Sequence, residues 1–118
     1  MIEKFGIGID IVDIAQFKKI PYSIKPKFYK NLFTPSEIRY CLQYKNHHEH
    51  FAGKFAIKEA VIKSIGKNIP MVKIETSHQN SKPRVELKGK WNKKYRFLVS
   101  LSHEKKMAVS VVISEKSG

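Results

Sequence analysis

Aspartate occurs twice in the 118-residue chain, arginine three times and cysteine once, and no apolar run approaches the roughly 20 residues that span a bilayer. The single Cys41 excludes an internal disulfide; flanked by Tyr40 and Leu42, it reads as a small core residue rather than a nucleophile. The apolar stretch from Phe5 to Val12 is broken by Asp10, which reads against a membrane helix or a secretory signal and leads us to expect a cytoplasmic chain. Repeats, linkers and low-complexity segments are also missing, so residues 1–118 are expected to form one domain around one core.

Lysine is what the chain has in excess. Lys and Arg number 23 against 10 Asp and Glu, a formal charge of +13, while 42% hydrophobic and 11% aromatic residues supply enough apolar matter to fold. Such a field favours polyanions, anionic cofactors or acidic proteins. With Arg39, Arg84 and Arg96 the only arginines, the planar forks that read base edges are scarce, which disfavours sequence-specific DNA recognition. A stacking platform for single-stranded nucleic acid is a second option, from Trp91, Tyr95 and Phe97 among Lys90, Lys93, Lys94 and Arg96. Aromatics at strand and turn positions are more often core.

Phe5-Gly6-Ile7-Gly8-Ile9-Asp10 alternates strictly and predicts a strand with Phe5, Ile7 and Ile9 on one face and Gly6, Gly8 and Asp10 on a bare one. Val12 to Ile20 then reads as a short helix ended by Pro21, and Pro26 to Asn31 as further helical turns. Thr34-Pro35-Ser36-Glu37 is a capping box, which gives Glu37 a structural role. The longest helix is expected from His48 to Ile65, stopped by Gly66. Beyond it, Met71 to Ser77 with Pro83 to Lys88, and Arg96 to Leu101 with Met107 to Ile113, flank polar turns as two hairpins. The expected fold class is α+β, with helices packed on one face of a largely antiparallel sheet.

In the long helix Phe51, Ala52, Phe55, Ala56 and Ala60 form one arc at about 100° per residue, and Glu59 and Lys63 fall inside it. As an (i, i+4) pair they would stabilise a surface helix by about 0.2–0.5 kcal/mol. Ile57, Val61 and Ile65 make the other side apolar as well, so the charges are expected in a buried setting, where they are paired or serve a bound ion. Asp10 ends the first strand beside two glycines that leave room for backbone or ligand, although a helix N-cap is the plainer role. Gly-x-Gly-x-Asp is neither a dinucleotide fingerprint nor a Walker loop. Two carboxylates and a lysine suit Mg²⁺, which takes one or two protein carboxylates and completes its shell with water and phosphate oxygens. His47-His48-Glu49-His50 lacks the H-E-x-x-H spacing of a metal site and reads as a solvated helix start, with a minor role in contacting a phosphate left open because it precedes a long helix whose N-terminus favours anions. Ser102 and His103 adjoin, but neighbouring side chains in a strand point apart, so a hydrolase dyad is not expected and His103 is preferred as a phosphate donor.

Gly6-Ile7-Gly8-Ile9-Asp10-Ile11-Val12, Phe51-Ala52-Gly53-Lys54-Phe55-Ala56-Ile57-Lys58-Glu59-Ala60-Val61-Ile62-Lys63, Lys82-Pro83-Arg84-Val85 and Ser100-Leu101-Ser102-His103, in this order, resemble the holo-acyl-carrier-protein synthase family, the small type of 4′-phosphopantetheinyl transferase. The resemblance implies that fold, and transfer of the phosphopantetheine arm of coenzyme A to a serine of an acidic apo acyl carrier protein in fatty-acid biosynthesis, releasing adenosine 3′,5′-bisphosphate. It implies Asp10 and Glu59 as Mg²⁺ ligands, with Lys63 on the pyrophosphate. Lys54 stands where the family usually has an arginine near coenzyme A, and Lys82, Pro83, Ser102 and His103 line the same site. It also implies a homotrimer with active sites between subunits. Gln16 replaces a common arginine of the first helix that meets the carrier, leaving Lys18 or Lys19 for that contact, and Ser81 replaces the glycine usual before Lys-Pro.

This chemistry agrees with the residues. In-line attack by a serine hydroxyl on a diphosphate needs charge neutralisation and positioning, which a divalent cation and lysines supply. The serine proton has three candidate acceptors: Glu59, a metal-bound water or a neighbouring carboxylate. The alternative, a basic single-stranded nucleic-acid-binding module without catalysis, would make Asp10, Glu59 and Lys63 a structural ion cluster.

Overall fold

The computed structural model describes residues 2–117. Nine principal elements follow one another: β1 (Phe5–Asp13), α1 (Ala15–Lys19), α2 (Pro26–Leu32), α3 (Pro35–Leu42), α4 (His47–Ile65), β2 (Ile74–Gln79), β3 (Lys82–Leu87), β4 (Tyr95–His103) and β5 (Met107–Lys116). β1, β5 and β4 form an antiparallel sheet in that order, and β2 and β3 pair as a separate antiparallel hairpin. The α+β class read from the sequence is the fold observed.

Register decides which side chains meet α4. Gly8 pairs with Val112 and Val112 with Val99; Asp10 pairs with Ser110 and Ser110 with Leu101; Val12 pairs with Ala108 and Ala108 with His103. These residues share the inner face, because side chains alternate along each strand. Of them, Gly8, Val12, Ala108, Ser110 and Val112 are buried. The bare stripe of β1 is where the helix seats: a Cβ on Gly6 would stand 1.8 Å from the carbonyl oxygen of Ser64, and one on Gly8 would stand 2.0 Å from that of Ala60. Ser114 Oγ donates to the Ser64 carbonyl at 3.2 Å and tethers β5 to the same turn.

The apolar residues of β1 point the other way. Phe5, Ile7, Ile9 and Ile11 are exposed, as are Leu98 and Ile113, with Ile7 at 70% and Leu98 at 71%. The alternation predicted from sequence is therefore right, but within this chain the core lies on the glycine side and the isoleucine side is bare.

α4 divides the interior in two. Against α1, α2 and α3 it buries an aromatic cluster of Phe17, Tyr29, Phe33 and Phe51, with Tyr29 and Phe51 ring centroids 4.6 Å apart. Against the sheet and the hairpin it buries Ile57, Val61, Ile69, Ile74, Leu87 and Val112, and Trp91, Tyr95 and Phe97 pack on this second cluster. The aromatics considered as a stacking platform thus serve the core. Cys41 is fully buried, as expected.

Several element boundaries differ from the sequence reading. β1 continues past Asp10 to Asp13, so Asp10 is a mid-strand residue and α1 shrinks to Ala15–Lys19. Pairing with β5 extends that far, which outweighs the helical pattern of Val12 onward. Asp13, rather than Asp10, accepts the Ala15 amide near the start of α1, at 3.0 Å. The β2–β3 turn is held by Asn80 and Ser81, both in the left-handed region (φ 53° and 66°), the geometry of a two-residue hairpin turn. Ser81, without glycine's freedom, is strained there.

Replacing Gly8 by alanine is expected to force β1 off α4 and lower unfolding free energy by about 3 kcal/mol. Urea denaturation with an unchanged m-value measures it.

Candidate active site

The seat of β1 on α4 sets the first cluster. Since Gly6 lies over Ser64 and Gly8 over Ala60, the next inward residue, Asp10, comes beside the stripe of α4 that carries Glu59 and Lys63. Lys63 Nζ donates to Asp10 Oδ1 at 2.9 Å and to the carbonyl oxygen of Ile9 at 3.0 Å. The Asp10 side chain is 14% exposed and that of Lys63 53%, so the pair stands at the rim of the core. Glu59 is half-buried, and its carboxyl is held above the usual carboxylate range, first by burial and then by the negative charge of Asp10, with Lys63 opposing. The two carboxylates predicted to act together therefore feel each other. Among the described residues no group of three or more His, Cys, Asp or Glu side chains is arranged to hold a metal ion. Asp10 and Glu59 are a two-carboxylate donor set, whose crowded negative charge a divalent cation would relieve; oxygen donors and a sparse shell fit Mg²⁺.

One and a half turns earlier on α4, Lys54 is buried. Its ammonium donates to Thr76 Oγ1 at 2.9 Å and lies 4.7 Å from the centre of the Tyr40 ring. It forms part of the wall of a pocket of about 100 Å³, together with His50, His78 and His103. His50 is held below its usual value, by burial and then by the His103 charge, and His78 likewise by burial and then by Lys54. This pocket brings together two of the predicted residues, Lys54 and His103. His50, at the end of the motif read as a solvated helix start, is half-buried and belongs to it.

Lys82 and Pro83 begin β3 and line a separate cleft of about 700 Å³ between the hairpin and β4, with Phe97 and Val99 opposite. Ser102 is exposed and lies on the outer face of the sheet, opposite to His103. Within one chain, then, the predicted residues fall into three groups: Asp10, Glu59 and Lys63; Lys54 and His103; and Lys82 and Pro83. Ser102 stands apart from all three.

Sequence reasoning missed Lys58 and Thr76. Lys58 is fully buried and donates to Glu37 Oε1 at 2.6 Å and to the carbonyl oxygens of Leu32 and Met71. Thr76 donates to Glu37 Oε2 through both its amide, at 2.7 Å, and its hydroxyl, at 2.6 Å. Glu37 is also the capping-box residue, as expected, accepting the Thr34 amide at 2.8 Å. The signal for Lys58 was present: it shares a helix face with Phe51, Val61 and Ile65, so a lysine there needs an acid, and Glu37 supplies it.

A family model of the 4′-phosphopantetheinyl transferase superfamily matches residues 6–112. The chain belongs to that superfamily. Its relatives are named holo-[acyl-carrier-protein] synthase; one from Thermodesulfovibrio yellowstonii is 40% identical over 111 residues, covering 92% of this chain and 96% of the relative. Among solved structures, a Helicobacter pylori holo-[acyl-carrier-protein] synthase in complex with coenzyme A is 32% identical with a TM-score of 0.80, covering 92% of this chain and 99% of that one. A Bacillus anthracis holo-(acyl-carrier-protein) synthase in complex with CoA (3′,5′-ADP) is 29% identical with a TM-score of 0.80, over 95% and 96% of the two chains. The family resemblance read in the sequence is thereby shown, and the phosphopantetheinyl transferase fold is that of an enzyme.

In this transferase the raised Glu59 carboxyl has a measurable sign. A carboxyl whose proton is held more tightly in the folded state stabilises the fold below its folded pKa and loses that contribution as pH rises through it. The Glu59→Gln variant without metal is therefore expected to melt higher than the parent at pH 7 and to lose this part of the pH dependence, as followed by thermal unfolding from pH 4 to 8. Millimolar Mg²⁺ is expected to raise the melting temperature of the parent and leave that of Glu59→Gln unchanged.

Proposed function

We propose that this chain, acting as a single domain, transfers the 4′-phosphopantetheine arm of coenzyme A to a serine of an acidic apo acyl carrier protein, in fatty-acid biosynthesis in the cytoplasm. The observation that carries the reading is the convergence of Asp10, from mid-β1, with Glu59 and Lys63 on α4. In the reaction the serine hydroxyl gives up its proton to a base at the site, for which Glu59 or a neighbouring carboxylate is a candidate, its oxygen bonds to the pantetheine-side phosphorus, the bond from that phosphorus to the bridging oxygen breaks, and adenosine 3′,5′-bisphosphate leaves. Asp10 and Glu59 would hold Mg²⁺, which when bound supplies charge neutralisation to the diphosphate. Lys63 orients Asp10 and offers its ammonium to the pyrophosphate. Lys54 and His103 present donors to a further anionic group of coenzyme A, and Lys82 and Pro83 line its nucleotide end. A charge of +13 draws an acidic carrier and a polyanionic coenzyme by one field. Gln16 is exposed on α1 beside Lys18 and Lys19, one or other of which takes over the carrier contact that an arginine makes in the family.

The working unit is a homotrimer with active sites between subunits. Two features support this: the outer face of the sheet is apolar and exposed at Phe5, Ile7, Ile9, Ile11 and Leu98, as an interaction surface is, and the candidate residues of one chain lie in separate groups that a neighbour could complete.

Mixing the protein with coenzyme A, Mg²⁺ and an apo carrier protein is expected to add one phosphopantetheine arm by mass, and Asp10→Ala or Glu59→Ala to slow this by about a hundredfold or more. Under the nucleic-acid reading the same exchanges would leave polyanion affinity intact or raised. Ile7→Lys, on the outer face, is expected to shift sedimentation from trimer to monomer and to cut transfer with it; a parent that sediments as a monomer at working concentration would overturn the trimer.

A further inference from the structure

Buried charges outside the Asp10–Glu59 cluster form one connected chain. Glu37 sits between two lysines of α4: Lys58 reaches its Oε1 directly, and Lys54 reaches its Oε2 through the hydroxyl of Thr76. The proton order in this chain is determined by chemistry. An ammonium only donates and a carboxylate only accepts, so the Thr76 hydroxyl proton points at Glu37 and its lone pairs face Lys54. The three groups Lys54, Thr76 and Glu37 are 3%, 4% and 1% exposed, so water does not compete for these bonds.

Lys54 needs this partner more than an arginine would. A single buried ammonium loses its hydration and is easily neutralised, whereas a guanidinium keeps its charge and carries five donors. Burial does lower the proton affinity of Lys54, and Cys41, Glu37 and Glu75 act against that. Its other neighbours are the Tyr40 ring face and the Thr76 carbonyl oxygen, which accepts from it at 3.4 Å. From α3 comes the Cys41 thiol, pushed up to about 12 by burial. Glu49 and His50 of α4, and His78 and His103 from the strands, share the pocket, while Lys58 lies behind Glu37 and Glu75 of β2 is occupied by Thr34, Ser36 and Lys88.

We propose that Thr76 is a positioning residue for coenzyme A binding: its hydroxyl couples Lys54 to the Glu37 carboxylate and so keeps a charged, aimed ammonium in the wall of the histidine-lined pocket. This rests on the reading that the pocket receives an anionic group of coenzyme A. Thr76 lies in the wall of that pocket, but its hydroxyl is taken up by Lys54 and Glu37. A strand residue with a buried hydroxyl at this one position makes lysine serviceable where the family usually carries arginine.

Three variants test it: Thr76→Val, which keeps the shape and removes the hydroxyl, Thr76→Ala as a second hydroxyl-free form should valine prevent folding, and Thr76→Ser, which restores the bond. The parent and variants are compared by the NMR titration of the Lys54 ε-methylene and by KM and kcat for coenzyme A from pH 6 to 9. The hydroxyl-free forms are expected to lose the Lys54 proton at lower pH than the parent. Their KM for coenzyme A is expected to rise about tenfold with kcat within about twofold, because a charge-assisted bond is lost, and the alkaline fall in affinity is expected at lower pH; Thr76→Ser is expected to match the parent. An unchanged Lys54 titration in Thr76→Val, or an equal loss in Thr76→Ser, overturns the positioning role. A parent that neither binds nor consumes coenzyme A overturns the proposed function instead, and the Lys54 titration still reports on the coupling.

Discussion

The contact on which the rest of this structure depends is the seat of β1 on α4, backbone against backbone at Gly6 and Gly8. No side chain fits there: even a methyl group would overlap the carbonyl oxygens of Ser64 and Ala60. This closeness does more than fill the core. It fixes the register between a strand and a helix, so that the next inward position of the strand, Asp10, stands against the Glu59–Lys63 stripe. It also turns the isoleucines of β1 outward, onto the face of the sheet that a single chain leaves bare. One pair of absent side chains thereby places both the acid cluster and the apolar surface.

α4 carries two electrostatic centres of opposite character. Around Glu37, charges are deeply buried and completely partnered: Lys58 directly, Lys54 through Thr76, and the amides of Thr34 and Thr76. Among the described residues no buried side-chain polar atom is left without a partner. Burying an ion pair offers little net stability, but removing one member of a satisfied set leaves the others costly, so such a network holds its parts in one arrangement. The Asp10–Glu59–Lys63 cluster lies at the rim and is unbalanced, with two acids crowded against one lysine. Satisfied charge positions; unbalanced charge is available to bind.

The sequence made a good part of this visible. The capping box at Thr34 to Glu37, the glycine stop at Gly66 and the two hairpins rest on local backbone chemistry, and all are observed. The bare face of β1 was legible as an invitation to close approach. The end of β1 was not, because Val12 and Asp13 are held in the strand by Met107 and Ala108, nearly a hundred residues away in sequence. The pairing of Lys58 and Thr76 was hidden for the same reason: their common partner Glu37 is supplied by α3, and a threonine in a strand pattern gives no sign that its hydroxyl will be buried between ions.

Periodicity, capping residues and charge count were enough, by themselves, to determine the fold class, the strand that carries Asp10, the helix that carries Glu59 and Lys63, and a protein drawn to anions, since each follows from interactions within a few residues or from simple summation. Which face of β1 is covered, which lysines are buried, that His103 and Ser102 part to opposite sides of the sheet, and that His50 and His78 meet at one pocket were decided only by tertiary structure. Each of these depends on which residues distant in sequence are pressed together once water is expelled, and a buried group's partner is set by that packing rather than by its neighbours along the chain.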